Sequence, residues 1–456
     1  MLLQYSVKNF LSFKDEVTLS MLATKRKSQD RTLDEGAVLS VMSDLDVLKC
    51  AVIYGANNSG KTNLVKSLKF LKRLVLDSSK ESRAKTEIEV TPFLLSPDTE
   101  TGASSFEVIF IQGSYLFQYG VSVTRERIQK ECLSRRALKK GGVTVELFDR
   151  DVDSIKVGKA FKEGRGLEAR TRSNALFLSV CANFDGPLST EVTEWFTRLK
   201  IISGVNDVMP LAWTAGRLDS PEYGEDIKNL LKAFDLGIDR FEAGEEIPGI
   251  KFQGVEVSVE NAEASEPAAQ AQAAVLESLL KGVQSVPSRK IISIHKMYDA
   301  EGEFVREVSF DLKMHESEGT KKLVALAGPL VDTLKSAHIV FIDEFESRLH
   351  ANVTKAILRM FNTSKGNPNG AQLIAVTHDT NLLNGDILRR DQIWFAGRDG
   401  LGRSSLRSLV EFKVRNDASF EKNYLEGAYG GVPYLREELS AAPKRARKNR
   451  LKQREI

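Results

Sequence analysis

The sequence has little of what several function classes require. Its 456 residues include three cysteines, Cys50, Cys132 and Cys181, widely spaced and with no CxxC pair. That pattern argues against a disulfide framework and suits a reducing cytoplasm, where the chain is expected to act. Five histidines are scattered at 295, 315, 338, 350 and 378, without the spacing of zinc ligands. No apolar run reaches the ~18 residues of a membrane span, and the start MLLQYSVKNFLSF lacks a signal-peptide layout, so no membrane partner is expected. A sustained heptad pattern and an internal repeat are also missing. Charge of one sign is scarce: 65 Lys and Arg against 62 Asp and Glu leave a net +3. The stretch 444–456 holds seven basic side chains and one acid, so the rest of the chain is weakly acidic. A surface built wholly for nucleic acid is excluded. A local contact through the basic stretch is not, and without aromatic residues there it would be phosphate-directed.

What is present is a folded globular composition, 42% hydrophobic and 28% charged, long enough for two to three domains or one elaborated domain. Alternation over residues 4–22 predicts a strand pair. The apolar run from Val47 to Tyr54 predicts a continuous strand buried on both faces. Leu64, Leu68, Leu71 and Val75 recur at helical spacing. Residues 106–111 and 115–123 read as a hairpin. From about 150 to 240 the pattern is mostly helical, and the Ala/Glu/Gln-rich stretch within 256–287 reads as a mobile loop leading into a helix. Strands are expected again at 290–313, 338–343 and 372–377. The expected organisation is a half-domain over 1–150, a mainly helical insertion over 151–289, a second half over 290–435 and a basic tail over 436–456.

The segment Gly55-Ala56-Asn57-Asn58-Ser59-Gly60-Lys61-Thr62 matches G-x-x-x-x-G-K-[ST] between an apolar strand and an amphipathic helix. In such a loop the backbone N–H groups surround phosphates, aided by the helix N-terminus, and the candidate nucleotide-binding residues are Gly55, Asn57, Asn58, Ser59, Gly60, Lys61, Thr62 and Asn63. Lys61 supplies a point charge, and the Thr62 hydroxyl suits Mg²⁺. A second apolar strand ends in Asp343-Glu344. At the carboxyl end of a parallel strand, Asp343 would support the metal and Glu344 would polarise an attacking water, unless the pair is only a solvated turn. His378 ends a third strand, where it would sense a γ-phosphate or simply pack. Ser317-Glu318-Gly319-Thr320 precedes an amphipathic helix. Ser317 suits either an ordinary N-cap or a phosphate-contacting turn, and the two readings stay open.

The Asp-Glu pair comes far after Lys61, so a large insertion separates two halves of one nucleotide site. This layout resembles the ABC-type ATPases of the SMC and overcoming-lysogenization-defect group. It is most similar to the single-chain RloA-like AAA-family ATPases of prokaryotic defence and abortive-infection loci. The carrying residues are YSVKNFLSF at 5–13, GANNSGKT at 55–62, ESEGTKK at 316–322, FIDEFESRLH at 341–350, THD at 377–379, LRRDQIWF at 388–395 and the Tyr424 to Pro433 segment. The resemblance implies an α/β fold: an ABC/SMC-like P-loop NTPase head with a mixed sheet, plus a mostly helical insertion. It implies ATP and Mg²⁺ as cofactors, Thr62 and Asp343 at the metal, Glu344 as catalytic base and His378 as switch histidine. Ser317, Gly319 and Thr320 would act in trans on a second head. The signature departs from the transporter type, and Gln112, Gln118 and Gln129 are equal candidates for a metal-sensing glutamine.

No nuclease constellation accompanies these motifs, so the expected function is an ATP-hydrolysing switch of an anti-phage system. Its expected partners are further copies of itself, a separately encoded effector such as a nuclease of PARIS-like or Septu-like systems, and a phage protein trigger. The alternative is an SMC-like DNA-repair ATPase that grips DNA directly.

Overall fold

The computed structural model describes residues 1–25, 30–81, 87–246, 289–412, 414 and 419–432. β1 (Leu2–Lys8) and β2 (Val17–Ser20) form the expected antiparallel pair. A hairpin of β3 (Val38–Met42) and β4 (Leu45–Leu48) leads into β5 (Cys50–Tyr54). β6 (Ser104–Gln112), β7 (Tyr115–Val123), β8 (Ile128–Ala137), β9 (Thr144–Asp151) and β10 (Ser154–Val157) form an antiparallel meander docked on β1. The resulting seven-stranded sheet runs β10-β9-β8-β7-β6-β1-β2. β11 (Leu199–Ser203) belongs elsewhere, as does a separate antiparallel sheet of β12 (Arg240–Glu246), β13 (Arg289–Tyr298) and β14 (Phe304–Asp311). β15 (Ile339–Asp343), β16 (Gln372–Val376), β17 (Ile393–Arg398) and β18 (Ser404–Ser408) complete a six-stranded sheet in the order β11-β15-β16-β5-β17-β18. Its pairings are parallel except for β17 with β18, so the sheet is mixed.

The patterning explains the two large sheets. β5, β15 and β16 are buried at every residue, which suits parallel strands covered on both faces. β6 alternates buried and half-buried positions, as a one-sided antiparallel strand should. Between them lies the helix Lys61–Glu81. Its Leu64, Leu68, Leu71 and Val75 share one core with Phe106 and Phe110 of the antiparallel sheet and Ile53, Phe341 and Ile374 of the parallel one. Trp195 of the helix Pro187–Arg198 stacks on Phe110 with ring centroids 4.2 Å apart. One continuous core therefore anchors the helix that carries Lys61.

Two features differ from the sequence pattern. The run Val47–Tyr54 is not one strand. It breaks at Lys49, whose N–H donates to Ala37 O while its carbonyl accepts from Leu373 N, so the chain changes partner there from β3 to β16. The segment 151–246 carries the helices Phe177–Asn183, Pro187–Arg198, Val208–Arg217 and Gly224–Ala233, but β11 between them is the edge strand of the parallel sheet. The stretch 256–287 and the tail 436–456 lie outside the described residues. Among the described residues, no helix is long and apolar enough to cross a membrane.

Candidate functional site

β5 ends at Tyr54, and the glycine-rich loop leads directly into the helix that starts at Lys61. Asn58 and Gly60 adopt left-handed backbone, φ 66° and 106°. Gly60 also has no room for a side chain: a Cβ would strike the Ser404 hydroxyl. The loop is braced from outside. Asn63 Nδ2 donates to Ser12 Oγ at 2.8 Å, Ser404 Oγ to the same Ser12 Oγ at 2.8 Å, and Arg398 Nη1 to Asn58 O at 3.4 Å. Lys61 Nζ folds back to donate to Gly55 O at 2.7 Å and Ala56 O at 2.9 Å. Burial lowers the Lys61 pKa to about 8, although Asp343, Glu346 and Glu344 oppose the shift.

Those carboxylates arrive through strand order. Asp343 is the last residue of β15, beside Ser203 of β11, and burial raises its pKa while a hydrogen bond from the Thr62 side chain counters the rise. Glu344 turns the chain in left-handed backbone, φ 49°, with its N–H donating to Asp343 Oδ1 at 3.2 Å. Phe345 N–H then donates to Val376 O at 2.9 Å and pins this turn to β16. His378 follows β16, and its pKa is lowered by burial first and by Lys61 second. Lys61, Thr62, Asp343, Glu344 and His378 thus converge on the carboxyl edge of one sheet.

Ser317, Gly319 and Thr320 lie apart from this group. Ser317 is the N-cap of the helix Glu318–Lys335, its Oγ accepting from Thr320 N at 3.1 Å, and it is exposed. Among the described residues, no hydrogen bond joins these three to the glycine-rich loop. The three candidate glutamines all sit in the antiparallel sheet, where Gln118 donates to Glu107. The segment beside Asp343 is instead Gly204–Asp207, just after β11.

One residue of the site was missed by sequence reasoning. Glu346 Oε1 accepts from the backbone N–H of His378 at 2.7 Å, and its Oε2 is buried with no hydrogen-bond partner among the described residues. The signal was a third acid two residues after Glu344, which reads as ordinary polar turn in a linear sequence.

The residues fit a nucleotide with a hard cation. The Ser59 hydroxyl is buried with no hydrogen-bond partner among the described residues, in a loop whose glycines leave room only for backbone. Thr62 and Asp343 are paired oxygen donors, the donor type Mg²⁺ takes. Strand, glycine-rich loop, helix and neighbouring carboxylates define a P-loop nucleotide site.

The chain belongs to the family described as "AAA domain, putative AbiEii toxin, Type IV TA system", whose model matches residues 50–384. No curated protein matches it. Solved structures similar to it include the SMC head domain from Thermotoga maritima, at 12% identity, covering 89% of this chain and 98% of that one with a TM-score of 0.37. An SMC head bound to the C-winged helix domain of ScpA is 12% identical, covers 89% and 97%, and has a TM-score of 0.43. The recombination mediator RecF is 13% identical, covers 89% and 98%, and has a TM-score of 0.28.

Proposed function

We propose that this ATPase is a switch of a prokaryotic anti-phage system, controlling a separately encoded toxic effector through nucleotide-dependent self-association. The observation that carries the reading is the convergence of Lys61, Thr62, Asp343, Glu344 and His378 on one sheet edge while Ser317 stands exposed on another helix. The family description, with its putative abortive-infection toxin, supports the defence context.

In this reading Lys61 binds the β- and γ-phosphates, and Thr62 and Asp343 would hold Mg²⁺. When bound, the metal would neutralise charge developing on the phosphate oxygens. Glu344 takes a proton from the water that attacks the γ-phosphorus, the bond to the β-phosphate oxygen breaks, and ADP leaves with inorganic phosphate. His378 reports whether the γ-phosphate is in place. Ser317, Gly319 and Thr320 bind the nucleotide held by a second copy through the helix N-terminus.

The test is solution mass with and without ATP for the wild type and Glu344→Gln, together with hydrolysis in the presence of DNA. A larger ATP-dependent species that persists in Glu344→Gln, and hydrolysis indifferent to DNA, are expected. A mass unchanged by ATP in both proteins would sink the self-association step. Strong, length-dependent stimulation by DNA would favour a DNA-gripping repair ATPase instead.

A further inference from the structure

The segment after β11 connects two parts of the molecule that the proposed function keeps apart. Ser203 pairs with Asp343, and the chain then passes Gly204 directly under the acidic turn. A Cβ at Gly204 would collide with the carbonyl oxygens of both Asp343 and Glu344, so only glycine lets the backbones lie this close. The next residues are held by two cations. Lys322 Nζ donates to Gly204 O at 2.8 Å and to Asp207 Oδ1 at 2.7 Å. Arg348 Nη2 donates to Val205 O at 3.1 Å, and its Nη1 to Asp207 Oδ2 at 3.0 Å and Glu318 Oε2 at 3.1 Å.

Each oxygen of Asp207 therefore takes one cation. Lys322 lies in the second turn of the helix capped by Ser317, and Glu318 is that helix's first residue. Arg348 lies four residues after Glu344, in left-handed backbone with φ 62°, and its carbonyl would stand 3.0 Å from a Cβ at Gly319. The Lys322 side chain is fully buried and that of Asp207 only 14% exposed. A buried ammonium cannot give up its counter-charge without a large penalty. Asp207 and Lys322 must move together.

We infer that Asp207 is a positioning residue that locks the exposed Ser317 turn to the Asp343–Glu344 turn of its own head. Engagement of Ser317 by the nucleotide of a second copy then sets the position of Glu344. This coupling rests on the head-to-head reading above. Asp207 touches neither the glycine-rich loop nor Lys61 in any described hydrogen bond, so it acts on the catalytic turn and not on nucleotide capture.

The experiment measures, on the full chain, affinity for a fluorescent ATP analogue at low protein concentration, kcat, and the cooperativity of hydrolysis in ATP. Asp207→Asn keeps size and one acceptor but removes the charge. Arg348→Gln breaks the second arm and leaves Lys322 paired, so it decides the matter if Asp207→Asn does not fold. Both variants are expected to keep affinity within about twofold, to lose about tenfold in kcat, and to lose cooperativity. Wild-type kcat and cooperativity overturn the inference, as does a loss of affinity parallel to the loss of kcat. Ser317→Arg in the same assay separates the two levels. If it hydrolyses ATP normally, the head-to-head reading fails. If it is inactive while Asp207→Asn and Arg348→Gln behave as wild type, only the Asp207 coupling fails.

Discussion

The backbone N–H of His378 donates to Glu346 Oε1 at 2.7 Å, so the acidic turn after β15 holds the end of β16 in place. The same turn is pinned a second time by Phe345 N–H on Val376 O. A His378 side chain that reads the γ-phosphate depends on where this backbone stands.

Glu346→Ala should therefore lower hydrolysis by about tenfold or more through misplacement of His378, since displacements of ~1 Å cost that much. Nucleotide affinity should change by only a few-fold, because Lys61 and its loop are untouched. Single-turnover hydrolysis beside a fluorescent-nucleotide titration checks this. Unaltered turnover would show that Glu346 is a bystander.

The lowered Lys61 pKa makes a pH prediction. With its pKa at about 8 in the nucleotide-free protein, Lys61 is charged at pH 6 and partly neutral at pH 8. Bound phosphate favours the ammonium and raises that pKa, so binding takes up a proton near pH 8. Affinity is fully present below pH 8 and falls as pH rises above it. Calorimetry in buffers of different ionisation heat should find the Lys61 contribution to be uptake of about half a proton at pH 8 and almost none at pH 6, with Lys61→Arg, which stays charged throughout, losing the uptake at pH 8. Lys61→Ala should abolish binding altogether.

Gly431 stands against the start of the glycine-rich loop. Its φ is 73°, and a Cβ there would lie 2.8 Å from Ala396 O and 3.5 Å from Gly55 Cα. Tyr424 Oη donates to Gly431 O at 3.1 Å and holds the turn. Gly431→Ala should cost about 1–3 kcal/mol of stability and weaken nucleotide binding, because the Ala396 carbonyl that must give way also lies against Gly55 of the loop. Thermal melting with and without ATP measures both effects. A variant with wild-type melting and affinity would show that the contact is slack.

Glu131 is fully buried in β8, where it accepts from Tyr119 Oη at 3.0 Å, Phe177 N at 2.6 Å and Leu178 N at 3.0 Å. Arg150 lies 3.8 Å from it. Glu131→Ala removes the counter-charge of Arg150, whose guanidinium keeps its backbone carbonyl acceptors, and leaves the Tyr119 hydroxyl and two helix-start N–H groups without their acceptor, so a loss of about 3–5 kcal/mol in denaturant unfolding is expected. A loss under ~1 kcal/mol would mean that water replaces the carboxylate.

The parts legible in the sequence were those built from neighbours in the chain. The glycine-rich loop was readable because phosphate binding needs consecutive N–H groups at a helix start, and Gly55 to Thr62 supplies them in order. The β6–β7 hairpin and the cap at Ser317 were readable for the same reason. β11 was not, because five residues between two helices carry too little periodicity, and its identity comes from its pairing with β15. Glu346 was not, because what singles it out is a backbone N–H 32 residues away.

The sequence alone thus determined the chemistry available: a phosphate loop, a strand-end acid pair and a histidine, each encoded in a short contiguous pattern. Tertiary structure decided what meets what. The order β11-β15-β16-β5 brings Asp343 and His378 to Lys61, sets Gly204–Asp207 against the acidic turn and leaves Ser317 facing outward. Strand order is set by packing of whole sheets around the helix Lys61–Glu81. No local pattern encodes it, since each parallel strand is apolar throughout and carries no mark of its neighbours.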